Sequence, residues 1–178
     1  VSAGGRKGVC SVVLAGVREG ELERDGNEVR FVLSSHKTQY NQKSCNMHID
    51  SLLVTLLSMP LEIARNWGEL KAGSYFDRSY AVLKVQNHTG VRFKMDSDAN
   101  QSIVSVTPCN PVWRYIFGPV KFVFEKDKPQ LKEICGLIEP RDHKINGKYK
   151  EYVGVFKFDT PLDFSQAIIP VVANAKVN

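Results

Sequence analysis

The side chains in this sequence that could do chemistry are few and far apart. A metal site or a thiol nucleophile would have to be drawn from His36, His48, His88 and His143 and from Cys10, Cys45, Cys109 and Cys135. Such sites need several of these groups brought together, or a base set beside the nucleophile. Only Cys45-Asn-Met-His48, with Asp50 two residues on, places a Cys and a His close in sequence, and no second pair completes a ligand set. Asp96-Ser-Asp98 is a carboxylate pair of the kind that serves acid–base chemistry. It stands with Asn100 between two strand-like segments, and a polar turn accounts for it. There is no Gly-x-Ser-x-Gly elbow, no glycine-rich phosphate loop and no recognisable cysteine nucleophile. The expectation is a protein that is not an enzyme, with no catalytic residues, no metal and no cofactor.

Two other groupings suggest binding. Lys126 and Lys128 form one basic cluster, and Lys144, Lys148 and Lys150 another, with Asn146-Gly147 in the second. Either cluster suits an anionic partner, a phosphate backbone or an acidic lipid surface. Glu125, Asp127, Glu133, Glu139, Asp142 and Glu151 are interleaved with them and dilute the field. Arg92 and Lys94 share one face of a strand-like segment. The other grouping runs from Pro111 to Pro119 and carries Trp113, Tyr115, Ile116 and Phe117 without a period. It reads as a core-crossing loop or as an exposed insertion that docks on a partner subunit or a bilayer boundary, which favour Trp, Tyr and Arg. Self-association is assigned to Trp113, Tyr115, Ile116 and Phe117.

The elements that must position these groups predict an α+β fold: a mainly antiparallel, twisted sheet or sandwich with a helix pair packed on it. Val9 to Val17 has strand length. Asp25-Gly26-Asn27 is a turn signal ahead of Glu28 to Ser35, where Val29, Phe31 and Leu33 alternate with polar neighbours. Residues 36–46 form a polar loop. Ile49, Leu52, Leu53, Leu56 and Leu57 have helical spacing, and Pro60 divides the stretch, because it can sit only in a first helical turn. The prediction is two helices, Met47–Leu57 and Met59–Leu70, the second capped by Ser58 and the pair spanning about residues 48–70. Tyr80–Gln86 and Gly90–Met95 flank a turn at Asn87-His-Thr-Gly90. Strands are expected at Ser102–Thr107, Val120–Glu125 and Tyr152–Phe158. Leu131–Ile138 is open between strand and short helix, and residues 139–150 read as a loop.

The chain has 178 residues, 24 basic and 19 acidic groups and a net charge of +5. Residues 1–90 hold 11 basic and 9 acidic groups and residues 91–178 hold 13 and 10, so there is no basic tail. One domain over residues 1–178, with a flexible N-terminus at residues 1–8, is the expected organisation. Each cysteine lies in or beside an apolar run, which predicts buried free thiols and a reducing compartment. No signal peptide and no apolar run of about 18 residues is present. The first residue is Val, as in a processed or trimmed chain, so secretion stays open.

A strand at 28–35, a polar loop, helices over 48–70, a hairpin at 80–95, an aromatic segment and a further strand at 120–125 follow one another. In this element order, and in size and basic charge, residues 28–138 resemble the matrix proteins of rhabdoviruses, in particular the short ones of plant-infecting members. The resemblance implies a viral structural protein of the virion and host cytoplasm. Such proteins form homo-oligomers, pack on the viral nucleoprotein–RNA complex and bridge it to an anionic membrane surface. Only Gly4-Gly-Arg-Lys-Gly8 stands where the family carries a longer basic arm, and neither Pro-Pro-x-Tyr nor Pro-Thr/Ser-Ala-Pro occurs. Two other functions remain open: an RNA-binding accessory protein, such as a plant-virus movement protein or silencing suppressor, and a secreted β-rich effector or recognition module. Two disulfides would mark the last.

Overall fold

The computed structural model describes residues 8–14, 18–25, 27–35, 43–48, 52–82, 86–143 and 149–167. Four strands build a first antiparallel sheet: β1 (Gly8–Leu14), β2 (Arg18–Asp25), β3 (Glu28–Ser35) and β4 (Lys43–His48), in that order. Asp25 faces Glu28 across the Asp-Gly-Asn turn, so the expected hairpin forms. Val29 and Phe31 are buried, as their alternation requires.

The second sheet has seven strands. A two-residue strand, β5 (Leu53–Val54), leads through helices α1 (Met59–Arg65) and α2 (Trp67–Lys71) to β6 (Tyr75–Val82), which lies parallel to it. A parallel pair needs such a crossover, because no tight turn can return the chain in the same direction. From β6 the chain runs as an antiparallel meander: β7 (Asn87–Ser97), β8 (Gln101–Pro108), β9 (Val120–Glu125), β10 (Gln130–His143) and β11 (Tyr149–Asp163). Between β8 and β9 lies a third helix, α3 (Pro111–Phe117). The chain adopts the predicted α+β class with a mainly antiparallel sheet, and the helix pair on it spans residues 59–71 rather than 48–70.

The core lies between the helix pair and one face of the second sheet. Met59, Ile63, Trp67 and Leu70 meet Phe76, Val91, Phe93, Val104, Phe122, Phe124 and Leu131. Trp67 packs edge-on to Phe124 with centroids 5.1 Å apart, and Phe76 stacks on Phe93 at 4.6 Å. Each fully buried phenyl ring contributes about 1.5–3 kcal/mol. A smaller cluster of Val29, Phe31 and Ala81, with Leu53 against it, joins the two sheets.

Several boundaries differ from the sequence expectation. Among the described residues of Met47–Leu57 none is helical, and residues 49–51 lie outside the described residues. Lys43–His48 pairs with β3, and Leu53 and Val54 pair with Ser79 and Tyr80. The leucine spacing there is helical, yet neighbouring backbone edges satisfy the same N–H and C=O groups through sheet ladders, and tertiary pairing overrides a local period. Strand alternation then sends Leu53 to the small cluster and Val54 to the main core. The second helix starts where Pro60 predicts, in the first turn after Ser58. Ser58 does not cap it with its side chain. Its hydroxyl turns back to Thr55, accepting from Thr55 N at 2.8 Å and donating to Thr55 O at 3.2 Å.

The polar loop expected at 36–46 ends earlier, since β4 begins at Lys43, and residues 36–42 lie outside the described residues. The turn expected at Asn87–Gly90 lies inside β7, because Val82 already pairs with Asn87. In its described residues the loop expected at 139–150 is strand, since β10 runs on to His143 and β11 starts at Tyr149, and residues 144–148 lie outside the described residues. Pro140, which offers no ladder N–H, is accommodated where the register shifts between Ile138 and Asp142.

Gly136 marks the point where this β10–β11 ribbon leaves the sheet. The pairing of β10 with β9 ends at Cys135, opposite Lys121. Gly136 has φ +121°, and a Cβ there would lie 2.7 Å from the carbonyl oxygen of Pro119. Only glycine fits both the conformation and the contact.

Candidate functional site

The aromatic segment is a helix, not the irregular loop expected. Pro111 sits in its first turn, and Asn110 Oδ1 accepts from Val112 N at 2.8 Å, which meets one orphan donor of the helix start. Gly118, at φ +62°, ends it. The Arg114 guanidinium donates from Nε to Pro108 O at 3.2 Å and ties the helix back to β8. Val112 is 66% exposed and Tyr115 93%. Spaced three apart, they lie on one helical face. Trp113 is half-buried, and the side chains of Ile116 and Phe117 lie outside the described residues. Of the four residues assigned to self-association, Tyr115 is thus open to a partner and Trp113 is partly committed to its own chain.

Of the basic residues assigned to an anionic partner, Lys126 and Lys128 have described side chains. Lys126 and Lys128 are exposed in the turn from β9 to β10. Lys126 Nζ donates to Ala99 O at 2.8 Å, and Asp127 between them pairs with Lys71 of α2 at 2.8 Å. Lys144 and Lys148 lie outside the described residues, and Lys150 pairs through its backbone with Asp142. Of the second cluster only the backbone of Lys150 is described, near the far end of β10, a strand of 14 residues that begins two residues after Lys128.

The open face of the second sheet carries cations that are already neutralised. Arg92 and Lys94 are exposed on one face, as expected, while Val91, Phe93 and Met95 are buried on the other. Arg92 makes a two-pronged contact with Asp77, 2.9 Å on each arm, and lies 4.1 Å over the Tyr75 ring. The guanidinium holds the Asp77 carboxyl below the ordinary aspartate range. Lys94 pairs with Asp96 at 3.2 Å, and Lys157 pairs with Glu133 at 3.1 Å.

Asp98 does the work of a turn. Its Oδ1 accepts from Asn100 N at 2.8 Å and Gln101 N at 2.9 Å, and these amides hold its carboxyl below the usual range. Cys45 and His48 lie in β4 opposite Phe31 and Glu28. A spacing of three in a strand puts the two positions on opposite faces. Among the described residues no three His, Cys, Asp or Glu gather as a metal set. Cys109 and Cys135 are free thiols, and burial pushes both up. Cys135 is half-buried, but Cys109 is exposed, contrary to the expectation of burial. Cys10 and Cys45 have side chains outside the described residues.

Two features escaped sequence reasoning. Glu62 of α1 is buried and accepts from Arg65 Nη1 at 2.9 Å and from Arg78 Nε at 3.2 Å, joining α1 to β6. Nothing in sequence links positions 62 and 78. The other is the end strand of the large sheet, β11, where Val153, Val155 and Phe156 are 74%, 54% and 48% exposed. The Val-Gly-Val-Phe run was the available signal, but it reads equally as a core strand. Among the described residues no helix is long and apolar enough to cross a membrane. Compared with protein-family models, characterised proteins and solved structures, the chain matches none.

Proposed function

We propose that this chain is an assembling structural protein rather than an enzyme, of the matrix type that its element order resembles. Copies associate with one another, pack on a ribonucleoprotein and link it to an anionic membrane surface. The observation that carries the reading is α3. It presents Val112 and Tyr115 to solvent on a helix fixed at both ends by Asn110, Gly118 and the Arg114–Pro108 contact. A rigid apolar group costs little entropy when a partner covers it.

An RNA-binding accessory role is the second reading. Tyr75, Arg92 and Lys94 on the open sheet face are the groups that would serve it, by stacking and by phosphate contact. Asp77 and Asp96 neutralise both cations, which favours assembly. Cys109 and Cys135 stand as free thiols, which favours assembly over the two-disulfide pattern of a secreted module.

The test is sedimentation velocity over a concentration series on the full chain and on a Val112→Ser, Tyr115→Ser double variant. Both substitutions are at exposed positions, so the fold should survive. The expected result is concentration-dependent growth of the wild type, reduced at least tenfold in apparent affinity in the variant. A wild type that stays monomeric at the highest attainable concentration refutes the reading. Salt-sensitive RNA binding by such a monomer would favour the accessory role.

A further inference from the structure

The terminal strand of the seven-stranded sheet has an open outer edge. Among the described residues only β10 pairs with β11, and β11 stands last in the strand order. Its backbone N–H and C=O groups on that side form a template for another strand. Proteins blunt such edges with proline, charge or bulges. Here Pro161 and a register shift between Leu162 and Lys157 lie near the end, and a second shift lies between Tyr152 and Lys150, so residues 152–157 form an unbroken window without proline. Within that window Val153 and Val155 are exposed on one face and Phe156 is half-exposed on the other.

We infer that β11 pairs edge to edge with β11 of a second copy, antiparallel about a two-fold axis at Gly154. This deepens the self-association reading and rests on it.

Register decides the centre. In an antiparallel pair of identical strands about a two-fold, residues equally far before and after the axis stand opposite each other. With Gly154 on the axis, Val153 meets Val155, Tyr152 meets Phe156, and Glu151 falls opposite Lys157. Each of these pairs occurs twice by symmetry, and apolar and opposite-charge cross-strand pairs are the stabilising kinds. Centring one residue earlier would set Val155 against Glu151. Centring one residue later would set Val153 against Lys157 and Glu151 against Asp159. Gly154 itself faces its own copy at the axis, where glycine admits the closest approach of two backbones. Lys157 already contacts Glu133 within the chain and is exposed enough to reach a second carboxylate.

The pairing also bears on the kind of assembly. A single two-fold contact closes on itself and makes only dimers. A β11 dimer with α3 as a second, different contact grows into larger arrays, which a structural layer requires.

The test is sedimentation equilibrium on the full chain and four variants, with circular dichroism confirming each fold. Val155→Lys places two charges at the centre of the pair and should weaken dimerisation about a hundredfold or more. Lys157→Glu should weaken it roughly tenfold, because each copy then sets Glu against Glu. Adding Glu151→Lys should restore affinity to within about threefold. The added change leaves the Glu133 contact unrepaired, so recovery reports on the intermolecular register. Tyr115→Ser should leave the dimer and stop only further growth. Oligomers that survive Val155→Lys overturn the β11 pairing alone, and failure of the double variant to recover overturns the register. A wild type that is monomeric throughout overturns self-association itself.

Discussion

Replacing Glu62 with Ala isolates a buried ionic link between α1 and the large sheet. The Glu62 side chain is 7% exposed, Arg78 22% and Arg65 44%. The Arg65 contact is an i, i+3 pair near the surface, worth about 0.3–0.5 kcal/mol. The Arg78 contact lies between the exposed range and the 3–5 kcal/mol lost when one member of a fully buried pair is removed. Arg78 keeps partial access to water, so about 1.5–2 kcal/mol is the appropriate figure. Glu62 also lies in the first turn of α1, where a carboxylate gains about 0.5 kcal/mol from the helix dipole. The sum is about 3 kcal/mol. In a chain of this size that lowers the melting temperature by roughly 6–12 °C. Urea unfolding of Glu62→Ala, Arg78→Ala and the double variant measures both the loss and the coupling. The expected coupling between Glu62 and Arg78 is about 1.5 kcal/mol. A loss under about 1 kcal/mol, or single effects that simply add, would refute the account of this link.

Gly136→Ala should destabilise the protein by more than about 2 kcal/mol in the same assay, since the new Cβ would meet a backbone oxygen that cannot swing away at a residue with positive φ. An unchanged midpoint would mean that β9 and β10 do not approach as described. Stability should also fall in acid. The Asp77, Asp98, Asp127 and Asp163 carboxyls are held below the ordinary range by Arg92, by the amides of Asn100 and Gln101, by Lys71 and by Ser165. A carboxyl with a depressed folded pKa binds fewer protons folded than unfolded. Its contribution is complete above about pH 5 and is lost as pH falls through about 4 and below. Urea midpoints at pH 7, 5, 4 and 3 should be level to about pH 5 and then drop. A midpoint that rises toward pH 3 would reverse the assigned sign.

Fold class and most of the strands follow from local patterns in the chain. Val91, Phe93 and Met95 alternate with Arg92 and Lys94, and alternation is a local property that survives in the sheet. Pro60 marked the start of α1 because a ring without an N–H fits only a first turn, and Asp25-Gly26-Asn27 marked a hairpin for a similar local reason. Tertiary structure alone decided what depends on partners distant in sequence. Leu52 to Leu57 have the spacing of a helix, but β6 offered Leu53 and Val54 a backbone edge, and the pairing prevailed. Pro111 to Phe117 lack a helical period of apolar residues, and the cap at Asn110 with Pro111 behind it was a local sign of a helix. The candidate site follows the same division. The residue types, exposed aromatics and lysines, were legible in the sequence. Their arrangement was not, because the sheet order that leaves β11 at an edge depends on partners distant in sequence. Strand order is set by long-range hydrogen bonding, and no local pattern encodes which strand ends a sheet.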